Sequence, residues 1–141
     1  MAGKADRSNA VRFALYVVVA HAAVGIVHSV AHEILGVKAS PPQLVFIVVA
    51  IIVAPLVAGL MLWRGKVKEG AFLLTCSMLG ALMFGIYYHF VADTTDHVSH
   101  VATLAPAGWA IVFQATALLL ALTEAFGAVA GALVMKKSSA V

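Results

Sequence analysis

The chain has 141 residues, of which 63% are hydrophobic and only 11% charged, with a formal net charge of +3. Its mean hydropathy of +1.04 excludes an ordinary soluble domain, which at this length needs far more polar surface. The composition predicts an all-α integral membrane protein of one domain: a bundle of four transmembrane helices with both termini cytoplasmic.

Four apolar stretches cover 11–35, 43–63, 70–92 and 106–135. Each is long enough to cross about 30 Å of hydrocarbon as a helix. None alternates with the period of two that a barrel strand requires. The first stretch, "VRFALYVVVAHAAVGIVHSVAHEIL", contains "AHA" at Ala20–Ala22, which looks like a signal-peptidase site. The apolar run continues to Leu35, however, and its removal would leave three spans, so the segment is read as a retained helix.

The segment "VKASPPQ" at 37–43 is a short turn, with Pro41 and Pro42 opening the second helix. Within that helix Pro55 is placed to kink the backbone, which membrane helices tolerate. "WRGKVKEG" at 63–70 forms the next tight connection. The third span carries the single cysteine, Cys76, so no intrachain disulfide and no CxxC motif exist; it is read as a small packing residue. "DTTDHVSHVATLAPAG" at 93–108 is the longest and most polar connection between spans, and long loops in compact domains usually carry function. In the fourth span Gly127 and Gly131 form a GxxxG step that lets helices approach closely, within the chain or between two copies.

Charge sets the expected orientation. Eight of the nine basic residues, Lys4, Arg7, Arg12, Arg64, Lys66, Lys68, Lys136 and Lys137, fall on one side, and only Lys38 falls on the other. The positive-inside rule then puts both termini in the cytoplasm and the loops at 36–42 and 93–105 outside, with Trp63 and Trp109 as anchors at opposite interfaces. The basic balance is a topology device and argues against a nucleic-acid partner. The expected partners are the lipid bilayer, other subunits of a membrane complex, or a second copy through Gly127 and Gly131.

The histidines carry the chemistry. At about 100° per residue His21, His28 and His32 share one helical face, while Glu33 lies about 100° away. Polar side chains facing lipid are costly, so the face points inward. If the third helix continues beyond Asp93, then His89, Asp93, Asp96 and His100 also share a face, with His97 adjacent. If "DTTD" breaks it, Asp96 or Thr95 can cap a new turn bearing His97 and His100. His32 and His89 both lie about 13 Å outward of the midplane and can face each other.

Two i, i+4 donor pairs on facing helices suit a divalent transition metal. The expected metal ligands are His28, His32, His89, Asp93, His97 and His100 on the extracytoplasmic side, with Glu33 and Asp96 as flanking partners. An imidazole-rich set suits zinc, copper or iron, as one ion or two. The alternative is haem b held by His28 or His32 with His89; a third reading is a proton-sensing cluster. The spacing resembles the histidine boxes of membrane di-iron hydroxylases and desaturases, but those families carry more histidines in longer chains, generally on the cytoplasmic side, so no residue role is transferred.

At mid-depth, His21 and Glu124 are expected to form a buried hydrogen-bonded pair. The function expected from these features is that of a membrane metal-binding protein, an accessory or small redox subunit of a membrane complex. The alternatives are a metalloenzyme on an apolar substrate, of the hydroxylase, oxidase or hydrolase type, and, further off, a proton or ion transport module. P-loop, HExxH and nucleophile-elbow signatures are absent.

Overall fold

The structure, a computed structural model, describes residues 2–139 and the side chains of 6–139. Lys4 therefore lies outside the described side chains. The chain forms α1 (Ala2–Leu35), α2 (Pro41–Trp63), α3 (Val67–Val91), a single turn α4 (Val98–Val101), and α5 (Ala107–Ser139), with no strand among the described residues. Four of these helices are long and apolar enough to span a membrane. Both α1 and α5 overrun the apolar stretches at the end where the termini meet. Helical hydrogen bonding does not stop where hydrophobicity stops, and lysine and arginine are good helix formers. The Lys137 ammonium binds Asp6 there, with Nζ to Oδ1 2.6 Å.

Two glycines reverse the chain. Gly36 has φ 67° and Gly65 has φ 82°, left-handed values that a side chain resists. After Gly36 the Val37 N–H donates back to His32 O at 3.0 Å, and Lys66 N–H donates likewise to Met61 O at 2.9 Å, both in the Schellman pattern. At the start of α2, Gln43 Oε1 accepts from Ser40 N–H at 2.7 Å. Pro41 and Pro42 occupy the first helical positions, where a missing N–H costs nothing.

α5 is central and packs along both α1 and α3. Its glycines make the second contact possible. A Cβ on Gly127 would stand 2.7 Å from Met78 Cγ, and one on Gly131 would strike Thr75 Oγ1 and lie 2.9 Å from Ala71 O. The GxxxG step is thus used inside the chain, between α3 and α5, the first of the two uses the sequence allowed. Cys76 also differs from expectation: it is exposed on the outside of the bundle.

The buried apolar core falls into two parts. One, with Ala14, Val18, Leu62, Leu74, Met78 and Val134, lies toward the termini. The other, with Ala31, Val37, Val101, Ala110 and Phe113, lies toward the opposite, histidine-bearing end. α2 packs on α3 from Ile47 onward and on α1 chiefly through its later half. Its first half contains a π-helical stretch, Ile47–Val53, and none of residues 41–53 is buried. Large apolar side chains such as Tyr16, Ile26, Phe72, Met83 and Phe126 point outward, as they do where the surrounding solvent is hydrocarbon.

Candidate metal centre

Three histidines converge where α1, α3 and α5 meet. One ring nitrogen from each of His28, His32 and His89 lies within 4.8 Å of the others, and the rings of His28 and His32 stand edge to face at 4.7 Å. His28 and His89 are buried, and Phe113 packs against all three rings with centroid separations of 4.6, 4.7 and 5.4 Å. These three residues can hold a metal ion.

The outward-facing nitrogens decide what the inner ones can do. His32 Nδ1 lies 3.1 Å from Val37 O, and His89 Nδ1 lies 3.1 Å from Asp96 O. A carbonyl can only accept, so in each ring Nδ1 carries the hydrogen. His28 Nδ1 lies 2.8 Å from Thr116 Oγ1. The Thr116 hydroxyl spends its only hydrogen on α5, where Val112 O is 2.7 Å away, so it too accepts. In their neutral forms all three rings therefore keep the lone pair on Nε2, and those of His28 and His32 face each other. This assignment follows from the hydrogen-bond partners.

Convergent lone pairs repel unless a positive charge lies between them. His28 Nε2 and His32 Nε2 are 3.1 Å apart, and Asp96 Oδ1 stands 3.4 Å from His32 Nε2. Asp96 Oδ1 is buried without a hydrogen-bond partner. Two ligands at about 2.0–2.1 Å from a tetrahedral ion are about 3.3 Å apart, close to both separations. A proton would bridge one such pair. A metal ion satisfies all three nitrogens together.

The loop after α3 sorts the remaining candidates. α3 ends in a π turn, Tyr87–Val91, and Ala92 N–H donates to Tyr87 O at 2.7 Å. The helix therefore does not continue through Asp93, and the chain folds back so that the Asp96 carbonyl reaches His89. His97 caps α4 and accepts from Ser99 N–H through its ring, a place expected for Asp96 or Thr95. Asp93, 93% exposed, pairs with His100 Nε2 at 3.3 Å. Asp93, His97 and His100 thus form a separate surface group and are not brought to the triad. Asp96, expected only as a flanking group, is the carboxylate that reaches it. Glu33 is exposed.

The candidate axial ligands of the haem alternative stand together in one cluster with the third histidine. The His32 and His89 centroids are 6.1 Å apart, and the His28 ring lies 4.7 and 5.0 Å from them.

The expected His21–Glu124 hydrogen bond is not formed. His21 Nε2 donates to Ile51 O at 3.2 Å, and Nδ1 faces Thr123 Oγ1 at 3.3 Å. Ile51 is one turn before Pro55, which has no N–H to offer that carbonyl. The proline thus leaves an acceptor for the histidine, and Glu124 keeps a buried Oε2 with no partner.

The triad opens onto a cavity of about 790 Å³ between α1 and the first half of α2. Its flank is bounded by the exposed apolar residues Ile26, Val30, Leu44, Ile52 and Leu56. The cleft extends from Lys38 and Ala39 at one end to Val18 and Pro55 at the other, and His28, His32, His89, Asp96 and Glu124 line its wall.

Compared with known proteins, the chain matches no protein family, no curated relative and no solved structure. The functional reading rests on the site alone.

Thr116 escaped the sequence reading, although a signal for it exists. His21 and His28 are seven residues apart, and so are Thr123 and Thr116, running the opposite way on α5. A seven-residue step returns to the same face of a helix.

Proposed function

We propose that this is a multi-pass membrane protein that binds one first-row transition-metal ion through His28, His32 and His89 and presents it to a small apolar molecule dissolved in the bilayer. The observation that supports this reading most directly is the convergence of three histidine nitrogens within 4.8 Å beside a lipid-flanked cleft. Structural zinc sites take four protein ligands, whereas sites that act on a ligand keep a position open. Asp96 Oδ1 lies 3.4 Å from His32 Nε2 and 3.9 Å from His89 Nδ1, a nitrogen already donating to the Asp96 carbonyl, so the carboxylate stands at the edge of the cluster, and three histidine donors with one open position is the reading the geometry favours, with zinc the best-fitting ion. An ion there would polarise an oxygen of the bound molecule. Among the readings open from the sequence, this arrangement favours a metalloenzyme on an apolar substrate over a closed accessory or redox site. With eight of nine basic residues on the other side, the centre faces the extracytoplasmic half of the membrane.

Two measurements test the proposal. Elemental analysis of purified protein is expected to find one transition-metal ion per chain, with His28→Ala, His32→Ala and His89→Ala each reducing it sharply. Full folding with no metal in the wild type overturns the site. Reporter fusions at Lys68 and Lys137 are expected to read cytoplasm and one at Ser99 outside; the reverse pattern moves the centre to the cytoplasmic half.

A further inference from the structure

Among the buried polar side chains described in the cleft wall, Glu124 is the one that the metal centre and the His21 contacts leave unused. It is 2% exposed, and its Oε2 has no hydrogen-bond partner. Neighbouring groups that might have satisfied it are committed elsewhere. His21 uses Ile51 and Thr123, and the Thr123 hydroxyl also reaches Leu120 O at 3.0 Å.

Gly85 connects this carboxyl to the metal centre. A Cβ built on Gly85 would lie 3.5 Å from Glu124 Oε2 and 4.0 Å from His89 Cδ2, touching nothing more closely. The absent side chain therefore leaves a methyl-sized space with the carboxyl on one side and a triad ring on the other. Gly85 sits four residues before His89, on the same face of α3. Glycine is a poor helix residue, and no turn or helix crossing requires it here. Gly127 and Gly131, by contrast, are held by close packing.

We infer that Glu124 and Gly85 form a head-group subsite in the cleft for a lipid-soluble alcohol or phenol. The ligand hydroxyl donates to Glu124 beside the metal centre, and the apolar body lies along Ile51, Ile52 and Leu56. The inference rests on the proposed use of the cleft and names the class of molecule it takes. A pure hydrocarbon would leave the buried oxygen unpaired. An anionic head group would meet a carboxyl and gain nothing from it. A neutral hydroxyl supplies the missing donor at the cost of one hydrogen bond to water or to another lipid.

The test compares 1-dodecanol with dodecyl methyl ether, which has the same chain and oxygen but no donor. Protein in phospholipid nanodiscs is titrated with each probe, and the probe-to-lipid ratio giving half of the maximal thermal shift is read. For the wild type the alcohol is expected to half-saturate at a ratio at least tenfold lower than the ether. Glu124→Leu removes the acceptor, and Gly85→Ala fills the space at ordinary contact distances while keeping every donor and acceptor. Both variants are expected to lose the preference for the alcohol while keeping metal content and melting temperature close to wild type. Equal response of the wild type to both probes, or a preference that survives in either variant, overturns the subsite. A wild type that prefers the alcohol but carries no metal would retain the subsite and remove the metal reading, so the two failures are distinguishable.

Discussion

His28 and Thr116 make, two helical turns further on, the same contact between α1 and α5 that His21 and Thr123 make: Nδ1 to Oγ1 is 2.8 Å in the first pair and 3.3 Å in the second. The repeat fixes how the two helices slide against each other. It also fixes which nitrogen of His28 faces His32.

Thr116→Val keeps the shape of the side chain and removes the acceptor. The His28 ring is then free to turn or to change tautomer, and metal affinity is expected to fall by about 10- to 100-fold. Competition against a chelator of known affinity measures it. Unchanged affinity would show that Thr116 plays no part in orienting the ligand.

The loop carboxylates are expected to separate cleanly. Asp96→Asn removes the buried charge beside His32 and weakens the ion's hold. Asp93→Asn, His97→Ala and His100→Ala, which act on the surface group, leave the metal content unaltered. The four variants compared by elemental analysis give the result, and a loss in the Asp93 or His100 variant equal to that in the Asp96 variant would contradict the observed folding of the loop.

The contacts of His21 run to Thr123 and to the Ile51 carbonyl, one turn before Pro55. Thermal melts should therefore show His21→Ala and Thr123→Val to be non-additive, by about 0.5 kcal/mol or more, while His21→Ala and Glu124→Gln add within about 0.5 kcal/mol. Strong coupling in the second pair would restore the pairing that the sequence suggested.

Gly131→Ala is expected to destabilise the bundle by about 1–3 kcal/mol, the usual cost of overpacking a close contact. The substituted methyl meets Thr75 and the Ala71 carbonyl. Thr75→Ala in the same chain relieves part of the loss, since the nearest atom is then gone. Chemical denaturation in mixed micelles reads both effects. An unchanged monomer stability with a lost oligomer would place the glycine in an interface between copies instead.

The four long apolar helices were legible because a run of about 20 apolar residues has few other uses. The convergence of His28, His32 and His89 was legible too, since helical periodicity gives the face and residue rise gives the depth. The rest depended on events periodicity does not encode. The π turn at Tyr87–Val91 turns Asp96 inward and Asp93 outward, and four apolar or aromatic residues around His89 do not announce it. Val37 reaches His32 only because Gly36 reverses the chain. The partner of His21 was decided by an acceptor that Pro55 leaves free, so a residue read as a possible kink proved to choose a hydrogen bond. Depth alone matched His21 with Glu124, and depth cannot tell which way a neighbouring helix is rotated.

The first half of α2 has no buried residue and is tied to α1 by little beyond the His21–Ile51 hydrogen bond, so the cleft has a side wall made of whatever surrounds the protein. In a bilayer that surrounding is acyl chain. A molecule arriving there is counted per lipid and not per litre, and each addition of membrane dilutes it. Half-saturation expressed against buffer volume should drift upward as lipid is added, while the same data expressed as mole fraction in the membrane should fall on one curve.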